Sequence, residues 1–178
     1  MYSKKLIIFN FIGFQILWWA CILSAKPQLS WAVLGLVVVL TCVHLHWVEG
    51  WKQTLPLLIT TLIGCILDQF GYYMGWVDFE FHSLFTAYIP LWMIALWLAF
   101  SMTVNVSMRW LQGKNTLAVL LGAVFGPLAY VGAQQLQVVT LPFDTLSLIW
   151  VAVEWAVAMP ILLWVRQQFN HDVNMELP

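Results

Sequence analysis

The chain has 178 residues and a net charge of −1; 62% of its residues are hydrophobic and only 8% are charged. Soluble domains carry about a quarter charged residues, so this composition excludes an ordinary water-soluble globule and points to a membrane as solvent. No basic cluster or tail is present to neutralise phosphates, and no nucleic-acid partner is expected.

The opening stretch, MYSKKLIIFNFIGFQILWWACILSA, starts basic like a secretory signal. A signal has an apolar region of about 7 to 15 residues, whereas this one continues through 6–24 and carries Asn10 and Gln15. It reads as a retained first helix. About 20 apolar residues are needed to cross the hydrocarbon core as a helix, and six such runs can be marked, at 6–24, 31–48, 55–77, 87–108, 116–136 and 146–165. The breaks between them are Lys26 and Pro27, Glu49 to Thr54, Asp78 to Ser83, Arg109 to Asn115, and Thr140 to Asp144. The predicted fold is therefore an all-α membrane protein, a bundle of six transmembrane helices forming a single polytopic domain over 1–178. Its connections are short, so successive helices are expected to be antiparallel neighbours.

Lys and Arg collect in cytoplasmic loops. Lys4, Lys5, Lys52, Arg109, Lys114 and Arg166 fall on one side of this topology and Lys26 alone on the other, which places both termini in the cytoplasm. The tryptophans divide by depth. Trp31, Trp47, Trp51, Trp76, Trp92, Trp110 and Trp164 lie near span ends, where an indole N–H stays wet; Trp18, Trp19, Trp97, Trp150 and Trp155 lie deeper and are expected to pack against helices or to line a cavity. The three cysteines, Cys21, Cys42 and Cys65, lie singly in apolar runs without zinc or disulfide spacing and read as buried, reduced and structural.

An acid at the bilayer centre costs about 2.5 to 3.5 kcal/mol on insertion scales. Asp68 in the third span and Glu154 in the sixth both sit near mid-run, with no Lys or Arg at their depth. They are the candidate catalytic, binding or proton-handling pair, against a purely structural interhelical hydrogen bond; desolvation favours the neutral form, and two facing carboxyls could share one proton. Gln15, midway along the first span, is a possible hydrogen-bond partner for either. Helical spacing puts Thr61, Gly64, Gly71 and Gly75 on the face of Asp68, a small-residue stripe suited to another helix rather than to lipid. Ser147, Trp150 and Ala158 share the face of Glu154.

Trp97, Ser101 and Asn105 repeat every four residues as a polar stripe on the fourth span. In the fifth, Gly122 and Gly126 make a small face that suits close helix packing, with a kink at Pro127 shaping a cavity beside Tyr130 as the alternative. The candidate ligand-binding set is Gln15, Trp18, Trp97, Asn105, Tyr130 and Trp155. His44 and His46 are two apart, on opposite sides of a helix, unlike a helical zinc motif. With Glu49 they are expected at the cytoplasmic interface. No metal and no cofactor are expected, and no nucleophile elbow, HExxH, phosphate loop or CxxC occurs.

The segments PLWMIALWLAFSMTVNVSMRWL at 90–111, GAVFGPLAYVGAQQL at 122–136 and VEWAVAMPILL at 153–163 resemble the bacterial family catalogued as domain of unknown function 2878. Agreement extends through FNFIGFQILWW at 9–19 and GCILDQFGYYMG at 64–75. The resemblance implies a single-bundle protein of the Gram-negative inner membrane and brings no established activity. Three readings stay open. One is a lipid-associated protein holding an acyl, isoprenoid or similar ligand between helices; the second is a small transport or capture component with a membrane-protein partner; the third is a scaffold assembling with itself or with others.

Overall fold

The computed structural model describes residues 2–25, 29–80 and 87–174. Lys26, Pro27 and the Phe81 to Ser83 part of the third predicted break lie outside the described residues. Six α-helices run through the rest: α1 (Lys4–Ala25), α2 (Ser30–His44), α3 (Thr54–Tyr73), α4 (Leu91–Val104), α5 (Asn115–Gln135) and α6 (Thr145–Asn174). With the turn that extends α2, five of them are long and apolar enough to cross a membrane.

The fourth is not. The run predicted at 87–108 forms only 14 helical residues, about 21 Å at 1.5 Å per residue. Residues 105–108 continue as turns, and a short 3₁₀ turn, Arg109–Leu111, follows. This short helix is nonetheless the centre of the structure. It is buried on nearly every side, from Trp92 through Val104, as expected of a helix that is apolar all round. It packs against α1, α2 and α3, while α6 joins α3 to α5. The outer faces of α1, α2, α3, α5 and α6 expose large apolar side chains such as Phe9, Val39, Leu62, Phe125 and Ile161, the surface that suits lipid.

The α3 stripe is where helical spacing put it. Thr61, Gly64, Asp68 and Gly71 are all buried, whereas Gly75 lies past the helix end in a left-handed turn at φ 69° and is exposed. Three of the deep tryptophans sit on glycines. A Cβ on Gly64 would run into the Trp97 ring, one on Gly71 into Trp150, and one on Gly126 into Trp155; Gly122 meets the Trp155 carbonyl. The glycines are thus sockets that let α3 close on α4 and α6, and α5 close on α6. Pro127 lies inside an unbroken α5.

At the end opposite Lys4, two two-residue strands, β1 (Asp78–Phe79) and β2 (Val139–Thr140), pair antiparallel, with Asp78 opposite Thr140. They tie the segment after α3 to the segment after α5. Two expectations need correction. Cys42 is exposed on α2 rather than buried; Cys21 is buried and Cys65 half-buried, and all three are free. Trp92, assigned to an interface, is fully buried because α4 is surrounded by its neighbours.

Candidate functional site

A cavity of about 710 Å³ lies between α1 and α5, with α4 and α6 behind it. Its lining residues on α5 run from Leu121 to Ala133, about 18 Å at helical rise. Eleven of its 26 lining residues are aromatic and none is Lys, Arg or His, so the cavity has apolar walls and no fixed cation. Gln15, Asp68, Ser107 and Tyr130 are its polar side chains, apart from the indole N–H groups.

Asp68 is the polar centre. It is 1% exposed, and each of its oxygens accepts a hydrogen bond: Oδ2 from Trp97 Nε1 at 2.5 Å, and Oδ1 from the Tyr130 hydroxyl. Two donors on two oxygens is the pattern that suits a carboxylate acceptor. Four helices converge here for reasons visible along the chain. Gly64 opens the space on α3 that Trp97 fills from α4; the Trp97 ring then stacks on Trp155 of α6, centroids 5.1 Å apart and planes 19° from parallel; Gly126, one turn before Tyr130, receives Trp155. Phe100 closes edge-on against both indoles.

Glu154 is 2% exposed, and its carboxyl lies within hydrogen-bonding reach of Asp68. Neither of its oxygens meets a donor among the described residues. Two carboxyls facing each other have no proton between them unless one is bound, so this pair is where an added proton or cation has a place to sit. The Trp92 and Trp155 indole N–H groups, both on cavity-lining residues, are also buried without an acceptor.

Of the predicted site residues, Asp68, Glu154, Trp97, Tyr130 and Trp155 come together. Trp18 is half-buried, lines the cavity and reaches toward Gly132 across it. Gln15 lines the same cavity but is exposed, and its α1 backbone stands on the far wall; the donors to Asp68 come instead from Trp97 and Tyr130. Asn105 is not among the cavity-lining residues. It belongs to a second buried polar cluster.

That cluster was invisible in the sequence. Glu49 and Arg166, both expected at an interface, form an ion pair with both side chains fully buried. Glu49 also meets His44 Nε2 at 2.7 Å and accepts from Asn105 Nδ2 at 2.8 Å. Arg166 donates to the Gln53 carbonyl, and Asn105 Oδ1 accepts from Gln112 and Asn170. A π-helical turn, Leu45–Glu49, makes this possible. Its i→i+5 bonding brings residues five apart onto one face, so Glu49 turns inward beside His44, while His46 stays exposed. Tyr2 covers the cluster, with the Arg109 guanidinium 5.6 Å from its ring centre; burial, helped by Glu49, pushes its phenol above the ordinary value. Among the described residues no group of three or more metal-ligating side chains occurs.

Fold and site together define an all-α protein with five helices long and apolar enough to cross a membrane and an acid-centred cavity. The chain belongs to the family described as protein of unknown function DUF2878, whose model matches residues 7–161. That match takes in Asp68, Glu154 and the cavity. No curated protein and no solved structure matches the chain.

Proposed function

We propose that this protein is a single six-helix bundle of the bacterial inner membrane, both termini cytoplasmic, that binds an apolar ligand of acyl or isoprenoid type in the cavity between α1 and α5. The observation that carries the reading is an apolar slot about 18 Å long, a little over half the thickness of a hydrocarbon core of about 30 Å, with a buried, hydrogen-bonded acid in its wall. An apolar chain satisfies the walls. Asp68, Tyr130 and Glu154 place its polar group.

The bundle assignment is supported by the apolar outer faces and by the gathering of Lys4, Lys5, Lys52, Arg109, Lys114 and Arg166 at one set of helix ends, the pattern of a cytoplasmic face. The 14-residue α4 is too short to span unaided, and its position among α1, α2 and α3 keeps its ends inside protein, where irregular backbone is tolerated. The partners consistent with this reading are membrane lipid and, through the exposed helix faces, another membrane protein or a second copy.

Native mass spectrometry of protein released from its own membrane tests the proposal. Wild-type protein retains a small apolar molecule at defined stoichiometry, and Ala129→Trp, which fills the cavity, loses it while keeping its helical content. Retention of the same species by folded Ala129→Trp, or no species retained by wild type, contradicts the reading.

A further inference from the structure

Resting on that reading, we infer that the polar end of the ligand carries a positive charge: the site is built for a lipophilic cation, such as an amine-bearing amphiphile. Among the described lining residues there is one acid, Asp68, and no Lys, Arg or His; Lys114 lies outside the lining, 5.2 Å from the Trp110 ring. Asp68 faces the cavity with both oxygens accepting from neutral donors, Trp97 and Tyr130. That arrangement holds a negative charge in place and does not cancel it. Beside Asp68, and outside the cavity lining, Glu154 adds a second carboxyl whose oxygens meet no donor among the described residues. On α6 the first cation beyond Glu154 is Arg166, twelve residues away, about 18 Å along the helix, and it is already paired to Glu49. A basic group on the ligand supplies a counter-charge there, in place of a proton shared by the two carboxyls.

The walls make the same choice. Trp18, Phe100 and Tyr130 line the cavity with Asp68, and aromatic faces attract cations, most strongly when water is excluded. An anionic or carboxylate-headed lipid would bring a like charge to Asp68 in an apolar surround, where repulsion is largest. The Trp92 N–H, five residues before Trp97 on α4, is a further buried donor on a lining residue with no acceptor among the described residues. At about 710 Å³ the cavity falls within the usual size of a small-molecule site.

Two ions of matched size and shape and opposite charge decide it: tetraphenylphosphonium and tetraphenylborate, titrated against the full-length protein in neutral detergent with tryptophan fluorescence as the signal. Trp18, Trp97 and Trp155 are among the twelve tryptophans that contribute to this signal. The expected result is saturable binding of the phosphonium, at least tenfold tighter than the borate, and a loss of at least tenfold in Asp68→Asn. Leu96→Phe, which narrows the cavity without touching the acid, weakens both ions alike. Equal affinity for the two ions, or phosphonium affinity unchanged in folded Asp68→Asn, overturns the inference. The apolar-ligand proposal then still stands if native mass spectrometry finds a retained neutral or anionic lipid, and it falls separately if Ala129→Trp retains that lipid.

Discussion

Replacing Glu49 by Gln keeps the size of the side chain and its contact with Asn105 but removes the charge that faces Arg166. Both side chains of the Glu49–Arg166 pair are fully buried, so the guanidinium is left without a counter-charge or water. Breaking a buried pair from one side costs about 3–5 kcal/mol. For a chain of this length each kcal/mol moves the unfolding midpoint by about 2–4 °C, so Glu49→Gln lowers it by roughly 10 °C. Arg166→Met also lowers the midpoint, by less, because the Glu49 carboxylate loses its counter-charge but keeps its contacts with His44 and Asn105. In the double variant Glu49→Gln, Arg166→Met no unpaired charge remains, and replacing a buried pair as a whole is often near neutral. Its midpoint therefore recovers most of the loss. The assay is thermal unfolding of the three variants in one detergent, followed by circular dichroism. Additive losses in the double variant, or an unchanged midpoint in Glu49→Gln, would refute the buried-pair argument and place Arg166 in contact with water.

Trp97→Phe keeps most of the ring volume and removes the N–H bond to Asp68; a hydrogen bond to a charged group is worth about 1.5–3 kcal/mol, read as a drop in the same midpoint and as weaker phosphonium binding. Gly126→Val drives a side chain into the Trp155 ring, an overpacking that costs about 1–3 kcal/mol and narrows the cavity, measured by stability together with ligand retention. Apolar maleimides modify Cys42, which is exposed, and leave Cys21 untouched in folded protein; equal labelling before denaturation would contradict the packing of α1.

The parts of the fold legible in the sequence are those that one helix can announce by itself. The stripe of Thr61, Gly64 and Gly71 with Asp68 gave the buried face of α3, and Gly122 with Gly126 gave the seat of Trp155, because residues three and four apart share a face. Asp68 and Glu154 stood out because an acid in an apolar run has no ordinary reason to be there. The remainder depends on three-dimensional context. Glu49 and Arg166 are 117 residues apart, each at the end of an apolar run, where a charge ordinarily meets water. Only the π-turn at Leu45–Glu49, which shifts the helical phase, turns Glu49 inward. Trp92 read as an interface anchor because nothing local shows that α4 is short and enclosed. The β1–β2 pair is two residues on each side, too brief for any alternation to register.

The claim that an apolar ligand occupies the α1–α5 cavity is tested most directly by photocrosslinking in native membranes with a diazirine-bearing fatty acyl probe that carries an amine head, followed by peptide mapping. The account predicts adducts on the cavity wall, at Phe14, Leu121 and Tyr130, that are reduced in Ala129→Trp. Adducts confined to the outward faces, at Ile8, Leu58 and Val124, with none on the cavity wall, would contradict it.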